Sequence, residues 1–190
     1  GGNYNVTIGD EAGTALTTGD NNTAVGFEAL TTEDGHGNNT AIGYRALKTL
    51  NAGSDGNNTA VGKDAGTAVT TGTLNTFVGS LTGDAVTEGG SNVSLGYFAL
   101  TADTKGSKSV AIGTAALGDQ NFTTATDAMN VAVGQEAGRF ITTGTVNTLI
   151  GGDAGKSLTV GHHNTAVGID SMENNVNGSN SVAIGSFALQ

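Results

Sequence analysis

Apolar and β-branched residues alternate along this chain in a short word that ends in glycine. It reads TAVG at 23–26, 59–62 and 165–168, TAIG at 40–43, VAIG at 110–113 and 182–185, and VAVG at 131–134. The closing glycines are Gly9, Gly26, Gly43, Gly62, Gly79, Gly96, Gly113, Gly134, Gly151, Gly168 and Gly185, spaced 17, 17, 19, 17, 17, 17, 21, 17, 17 and 17 residues apart. Eleven copies span the chain, so residues 1–190 form one repeat domain. β-branched residues at alternate positions favour a strand, and no apolar stripe of helical period survives the punctuation by Gly and Asn. The glycine then permits a tight bend. Ala recurs three residues later, and a further apolar position falls seven residues later, at Leu16, Leu50, Val69, Val86, Ile141 and Leu158. The unit therefore predicts two short strands and two turns, one coil of an all-β solenoid. Eleven coils stacked about 4.8 Å apart make a rod roughly 50 Å long. The 19- and 21-residue spacings place insertions at 51–57 and 118–129, polar stretches expected to form loops.

Two columns of side chains follow from the alternation. The aliphatic residue before each glycine is expected to form the core of the coil: Ile8, Val25, Ile42, Val61, Val78, Leu95, Ile112, Val133, Ile150, Val167 and Ile184. The residue before that points to the opposite face. It reads Ala24, Ala41, Ala60, Phe77, Ala111, Ala132, Leu149, Ala166 and Ala183, with only Thr7 and Ser94 polar. A strand apolar on both faces is buried on both. A 17-residue coil is too thin to bury both within itself, so the alanine column is expected to pack against another copy of the chain.

Composition supports an almost continuous ladder, because proline, which cannot donate to one, is absent. The lack of cysteine excludes disulfides and zinc–thiolate sites. A net charge of −10 argues against binding nucleic acid or an anionic membrane through a basic surface. No apolar run is long enough to span a bilayer as a helix. The chain opens GGNYN without a methionine, which we read as a piece of a longer fibrous polypeptide.

The words SVAIG at 109–113 and 181–185, NTAVG at 22–26, 58–62 and 164–168, and NVAVG at 130–134 resemble the head repeats of trimeric autotransporter adhesins of the YadA type. The longer unit NTAVGFEALTTEDGHGN is similar to repeats of phage tail-fibre proteins and of marine bacterial surface proteins. The resemblance covers all eleven copies. It implies a left-handed parallel β-roll assembled as an intertwined or side-by-side homotrimer, with the Val and Ile of the word pointing into the core. It also implies an extracellular place, on a virion or a bacterial cell surface, and a structural and adhesive task in host attachment through a surface glycan or protein. The 17-residue unit is longer than the adhesin repeat, so one turn must be wider.

Candidate chemistry is sparse. His36, His162 and His163 fall in turn segments, and GGDAGKS at 151–157 lacks the spacing of a phosphate-binding loop, so neither a catalytic site nor a cofactor is expected. Two residues after the glycine, successive coils carry Glu28, Arg45 and Asp64, which alternate in sign and support one another when stacked. The same column later reads Glu136, Asp153 and Asp170; three stacked carboxylates repel unless a cation bridges them, which makes a weak candidate calcium site. Phe27 and Tyr44, on neighbouring coils, are expected to stack, and Tyr97 shares their column. Recognition of a receptor is expected first at the two insertions. Two alternatives to a fibre segment are an ice-binding solenoid, motivated by the threonine column Thr23, Thr40, Thr59 and Thr76, and a polysaccharide-degrading β-helix of the tailspike kind.

Overall fold

A computed structural model describes residues 2–190. Those residues contain strands and turns and no helix. One strand of the main sheet comes from each repeat: β1 (Val6–Ile8), β2 (Thr23–Val25), β3 (Thr40–Ile42), β4 (Thr59–Val61), β5 (Thr76–Val78), β6 (Val93–Leu95), β8 (Val110–Ile112), β10 (Val131–Val133), β11 (Thr148–Ile150), β12 (Thr165–Val167) and β13 (Val182–Ile184). They pair in parallel and in chain order, each with the coil before and after it. The register puts like on like: Ala24 opposes Ala41, and Val25 opposes Ile42. The architecture is thus a β-solenoid of eleven turns, most of them 17 residues long, in which each column of the repeat becomes a ladder along the rod.

The second strand expected in each coil is not a second sheet. A two-stranded pairing of β7 (Gly106–Ser107) with β9 (Thr126–Asp127) stands on that side. It takes in part of the 118–129 insertion, which is therefore partly a strand. Elsewhere the far wall is a run of turns, joined coil to coil by hydrogen bonds that converge on one carbonyl, such as Thr17 N and Thr18 N on Asp34 O and Thr70 N, Thr71 N and Gly72 N on Thr87 O. The reason is the backbone after the glycine. Residues two and four places on are left-handed, as at Glu28 (φ 53°) with Leu30 (φ 50°) and Arg45 (φ 57°) with Leu47 (φ 49°). Such a conformation costs an L-residue about 1 kcal/mol, and stacking against an identical coil holds it in place. At the corner itself only glycine fits: Gly26 has φ 130°, and a Cβ there would lie 2.5 Å from the carbonyl oxygen of Gly43.

The two strand faces are the reverse of the sequence expectation. Ala24, Ala41, Ala60, Phe77, Ala111, Ala132, Leu149 and Ala166 are completely buried inside a single chain, and Ala183 nearly so. The aliphatic column lies outside, half-buried or exposed, at Ile8, Val25, Ile42, Val61, Val78, Leu95, Ile112, Val133, Ile150, Val167 and Ile184. Size decides the matter. The interior is already filled from the turn walls by Leu30, Leu47, Leu100 and Leu117 on one side and by Leu50, Val69, Ile141 and Leu158 on the other. Against those side chains the strand has room for a methyl group and little more.

The exceptions follow the same rule. Phe77 enters the alanine column where the leucine column turns to glycine: a Cβ at Gly83 would lie 2.5 Å from the Phe77 ring, and one at Gly66 would lie 2.8 Å from it. Leu149 is matched likewise by Gly138 and Gly155, each 2.7 Å from its methyl groups by the same measure. Ser94, polar in this column, faces Thr82, polar in the next; their hydroxyls are 2.6 Å apart, and that of Ser94 donates to Ala99 O. Each departure is compensated by its neighbour, which keeps the interior dense.

Asparagine forms the third wall. Asn22, Asn39, Asn58, Asn75, Asn92, Asn130, Asn147 and Asn164 are buried one above another. The Oδ1 of Asn58 accepts the backbone N–H of Asn75 at 2.9 Å, and Asn75 Oδ1 accepts that of Asn92 at 3.0 Å. Most Nδ2 groups donate to a glycine carbonyl of the next coil, Asn75 to Gly89 at 2.9 Å and Asn92 to Gly106 at 2.9 Å, while Asn22 donates to His36 O and Asn39 to Gly37 O. The ladder breaks at Ser109, which has no amide to pass on. Gln120 closes the gap, donating from Nε2 to Ser109 Oγ at 3.2 Å and accepting from Asn130 Nδ2 at 2.8 Å. Polar residues in the second apolar column tie down the turn that follows: Glu33 Oε1 accepts from His36 N, and Asp103 Oδ1 from Gly106 N. Burial pushes the Asp103 carboxyl up, opposed by the hydrogen bond from Gln120.

Candidate interaction surface

Turning the alanines inward leaves an outward sheet face of two β-branched columns. One is the threonine–valine column of Thr23, Thr40, Thr59, Thr76, Val93, Val110, Val131, Thr148 and Thr165; the other is the aliphatic column named above. Ile42 keeps 38% of its surface, Leu95 45% and Ile150 40%. Eleven strands of three residues make this face roughly 50 Å by 10 Å. Further apolar side chains widen it. Phe27, Tyr44, Tyr97 and Ile169 stand just past the glycine corner, and Leu74, Met129 and Val146 just before the strand, all exposed. Phe27 and Tyr44 stack as expected, with ring centroids 5.5 Å apart and planes 16° from parallel. An apolar strip this long is unusual on a surface that meets only water.

Beside the strip run the charges. Glu28 Oε2 accepts from Arg45 Nε at 2.6 Å and from Lys48 Nζ at 2.7 Å. Lys48 foremost, then Arg45, holds its carboxyl below the usual range. Asp64 does not extend this pair, taking Lys63 instead at 3.3 Å. The second acidic column is similarly divided. Glu136 pairs with Lys156 at 2.6 Å and with Arg139 at 2.6 Å, and Lys156 chiefly lowers its carboxyl. Asp153 and Asp170 converge with Glu173 rather than with Glu136. Lys156 lies 3.4 Å from Asp153, so a protein ammonium provides part of the neutralisation that stacked carboxylates need. The sequence missed Lys48, Arg139 and Lys156 because each sits five residues past the corner. Only the turn geometry brings that position beside the acids.

The histidines serve the turns. His36 Nδ1 lies 3.3 Å from the buried Glu33, and His162 Nδ1 accepts the backbone N–H of Thr145 at 3.0 Å, while His163 is exposed. GGDAGKS is one ordinary corner, with Gly151 at φ 135° and Gly155 at φ 59°. The insertion at 51–57 is largely exposed, whereas Phe122 of the other insertion is buried. No family model, no characterised protein and no solved structure matches the chain.

Proposed function

We propose that this chain is a fibre segment, a structural and adhesive rod that becomes a homotrimer by packing copies side by side. The reading places it on a virion or a bacterial surface, where it contributes to attachment. The observation that carries it is the outward face of Thr, Val, Ile and Leu running the length of the solenoid. With its flanking columns the face is about 20 Å wide and offers on the order of 1,000 Å², which a copy in a trimer shares between two neighbours, so each contact buries on the order of 1,000 Å² from both sides together, the lower end for a specific interface. The aliphatic column, Ile42 and Ile150 included, is then the contact between copies; the alanines, already buried in one chain, are not available for it. Light scattering after size exclusion is expected to give three times the chain mass of 18.7 kDa. Replacing Ile42 and Ile150 together by Glu is expected to give monomers or precipitate, because charges cannot enter a desolvated seam. A wild-type chain that stays a monomer at micromolar concentration overturns the trimer.

One observation favours a second reading, an ice-binding solenoid. Thr23, Thr40, Thr59 and Thr76 lie in register on the outer face, half-buried to exposed, rather than in the core. Val93, Val110 and Val131 interrupt the hydroxyl row at mid-rod, which weighs against it. Thermal hysteresis above that of an equimolar inert protein decides for this reading; its absence removes it.

A further inference from the structure

The corner column two residues past the glycine carries large or charged side chains on most coils, and Arg139 and Thr101 occupy the column five past it. The coil of Gly113 is small at both positions, with Ala115 and Gly118. A notch one coil deep opens there, about 230 Å³ in volume. Its floor is Ala115 and Gly118, one wall is Phe98 with Thr101, and the other is Arg139, with Asp119 exposed on the rim. Tyr97 backs Phe98 edge to face, with centroids 4.2 Å apart, so the aromatic wall is braced. The Arg139 guanidinium is tethered by Glu136 through one nitrogen, leaving other N–H donors for a ligand.

We propose that this notch binds a single neutral pyranose residue of a surface glycan. An aromatic wall suits the C–H face of a sugar ring. The donors of Arg139, the acceptor oxygens of Asp119 and the hydroxyl oxygen of Thr101, whose own proton goes to Asp84, suit its hydroxyls. Charge argues against an anion: Arg139 is paired with Glu136, Asp119 stands on the rim, and the chain carries −10. The volume matches one ring rather than an oligosaccharide. None of its lining residues belongs to the strand face or to the column just past the glycine, where Tyr97 stands behind Phe98. The inference rests on the attachment reading and supplies its ligand class.

The test uses saturation-transfer NMR on the full chain with the methyl glycosides of glucose, galactose, mannose and N-acetylglucosamine. At least one is expected to bind with a dissociation constant on the order of 1 mM, as a small ligand in a shallow site does. Ala115→Leu fills the notch without straining the backbone, because Leu81 occupies the same column at φ 55° against 54° for Ala115. It is expected to weaken binding at least tenfold while leaving the melting temperature unchanged or raised. Asp119→Asn is expected to weaken binding severalfold. No binding by any of the four glycosides, or binding that Ala115→Leu leaves intact, overturns the inference. Mass measured on the same samples keeps the two readings apart: a trimer with an empty notch defeats the sugar site alone, and a sugar-binding monomer defeats the trimer alone.

Discussion

Phe77→Ala is expected to lower stability by about 3–5 kcal/mol, the range for removing a buried aromatic ring. The ring is completely buried, and the glycines at 66 and 83 have no side chain to move into the space it leaves. The surrounding coils cannot collapse either, since their spacing is fixed by backbone hydrogen bonds above and below. A rescue follows from the repeat. The coils of Ala24 and Ala41 hold leucine where those of Phe77 hold glycine, with Leu30 and Leu47 left-handed at φ 50° and 49°. Adding Gly66→Leu and Gly83→Leu to Phe77→Ala is therefore expected to restore most of the loss, while either glycine change in the wild-type background destabilises by overpacking. Urea melts of the four variants and the wild type check this. A triple variant no more stable than Phe77→Ala would show that the pairing of large with small is incidental.

Asn75→Ala is the second large effect, at about 2–6 kcal/mol. The side chain has no solvent contact, and its loss strands the Asn92 N–H and the Gly89 carbonyl with nothing to bond, at about 1–3 kcal/mol for each buried unmet group. Asn75→Asp is expected to cost at least as much, because its second carboxylate oxygen would face the Gly89 carbonyl oxygen with no proton between them and no solvent to screen the charge. Hydrogen exchange should locate the damage: the amide of Asn92 loses protection first, and coils three or more removed keep theirs. Equal loss of protection along the whole rod would contradict a ladder built from nearest-neighbour contacts.

The period, the strand and the corner were all legible in the sequence, because a repeated requirement leaves a repeated residue. Gly26 and its counterparts recur since no other residue fits a corner pressed against the next carbonyl. The direction of the strand was not legible by the reasoning applied to it, which sent the larger aliphatic residue inward. That rule fails where the opposite walls bring leucines of their own, and the contrary evidence lay in the repeats. Phe77 and Leu149 appear only where Gly66, Gly83, Gly138 and Gly155 replace leucine, which marks the alanine column as the packed one. The Asn ladder was visible as the first letter of NTAVG, yet nothing in a single strand says that its amide turns inward. The partners of Glu28 and Glu136 were hidden for a similar reason: Lys48, Arg139 and Lys156 reach the acids across left-handed turns that alternation does not encode. The notch came from two missing side chains, and absence makes no pattern of its own.

The hydrogen bonds of the main sheet run along the length of the rod, and this has a mechanical meaning. A tether pulled at its ends loads each rung in series, so the force it survives is that of its weakest junction and does not grow with the number of coils. Where Ser109 stands in for asparagine, the tie between adjacent rungs depends on Gln120 reaching in from the side. The pairing of β7 with β9 bridges the same two rungs, and sharing the pull among parallel copies raises the load that such a series can bear.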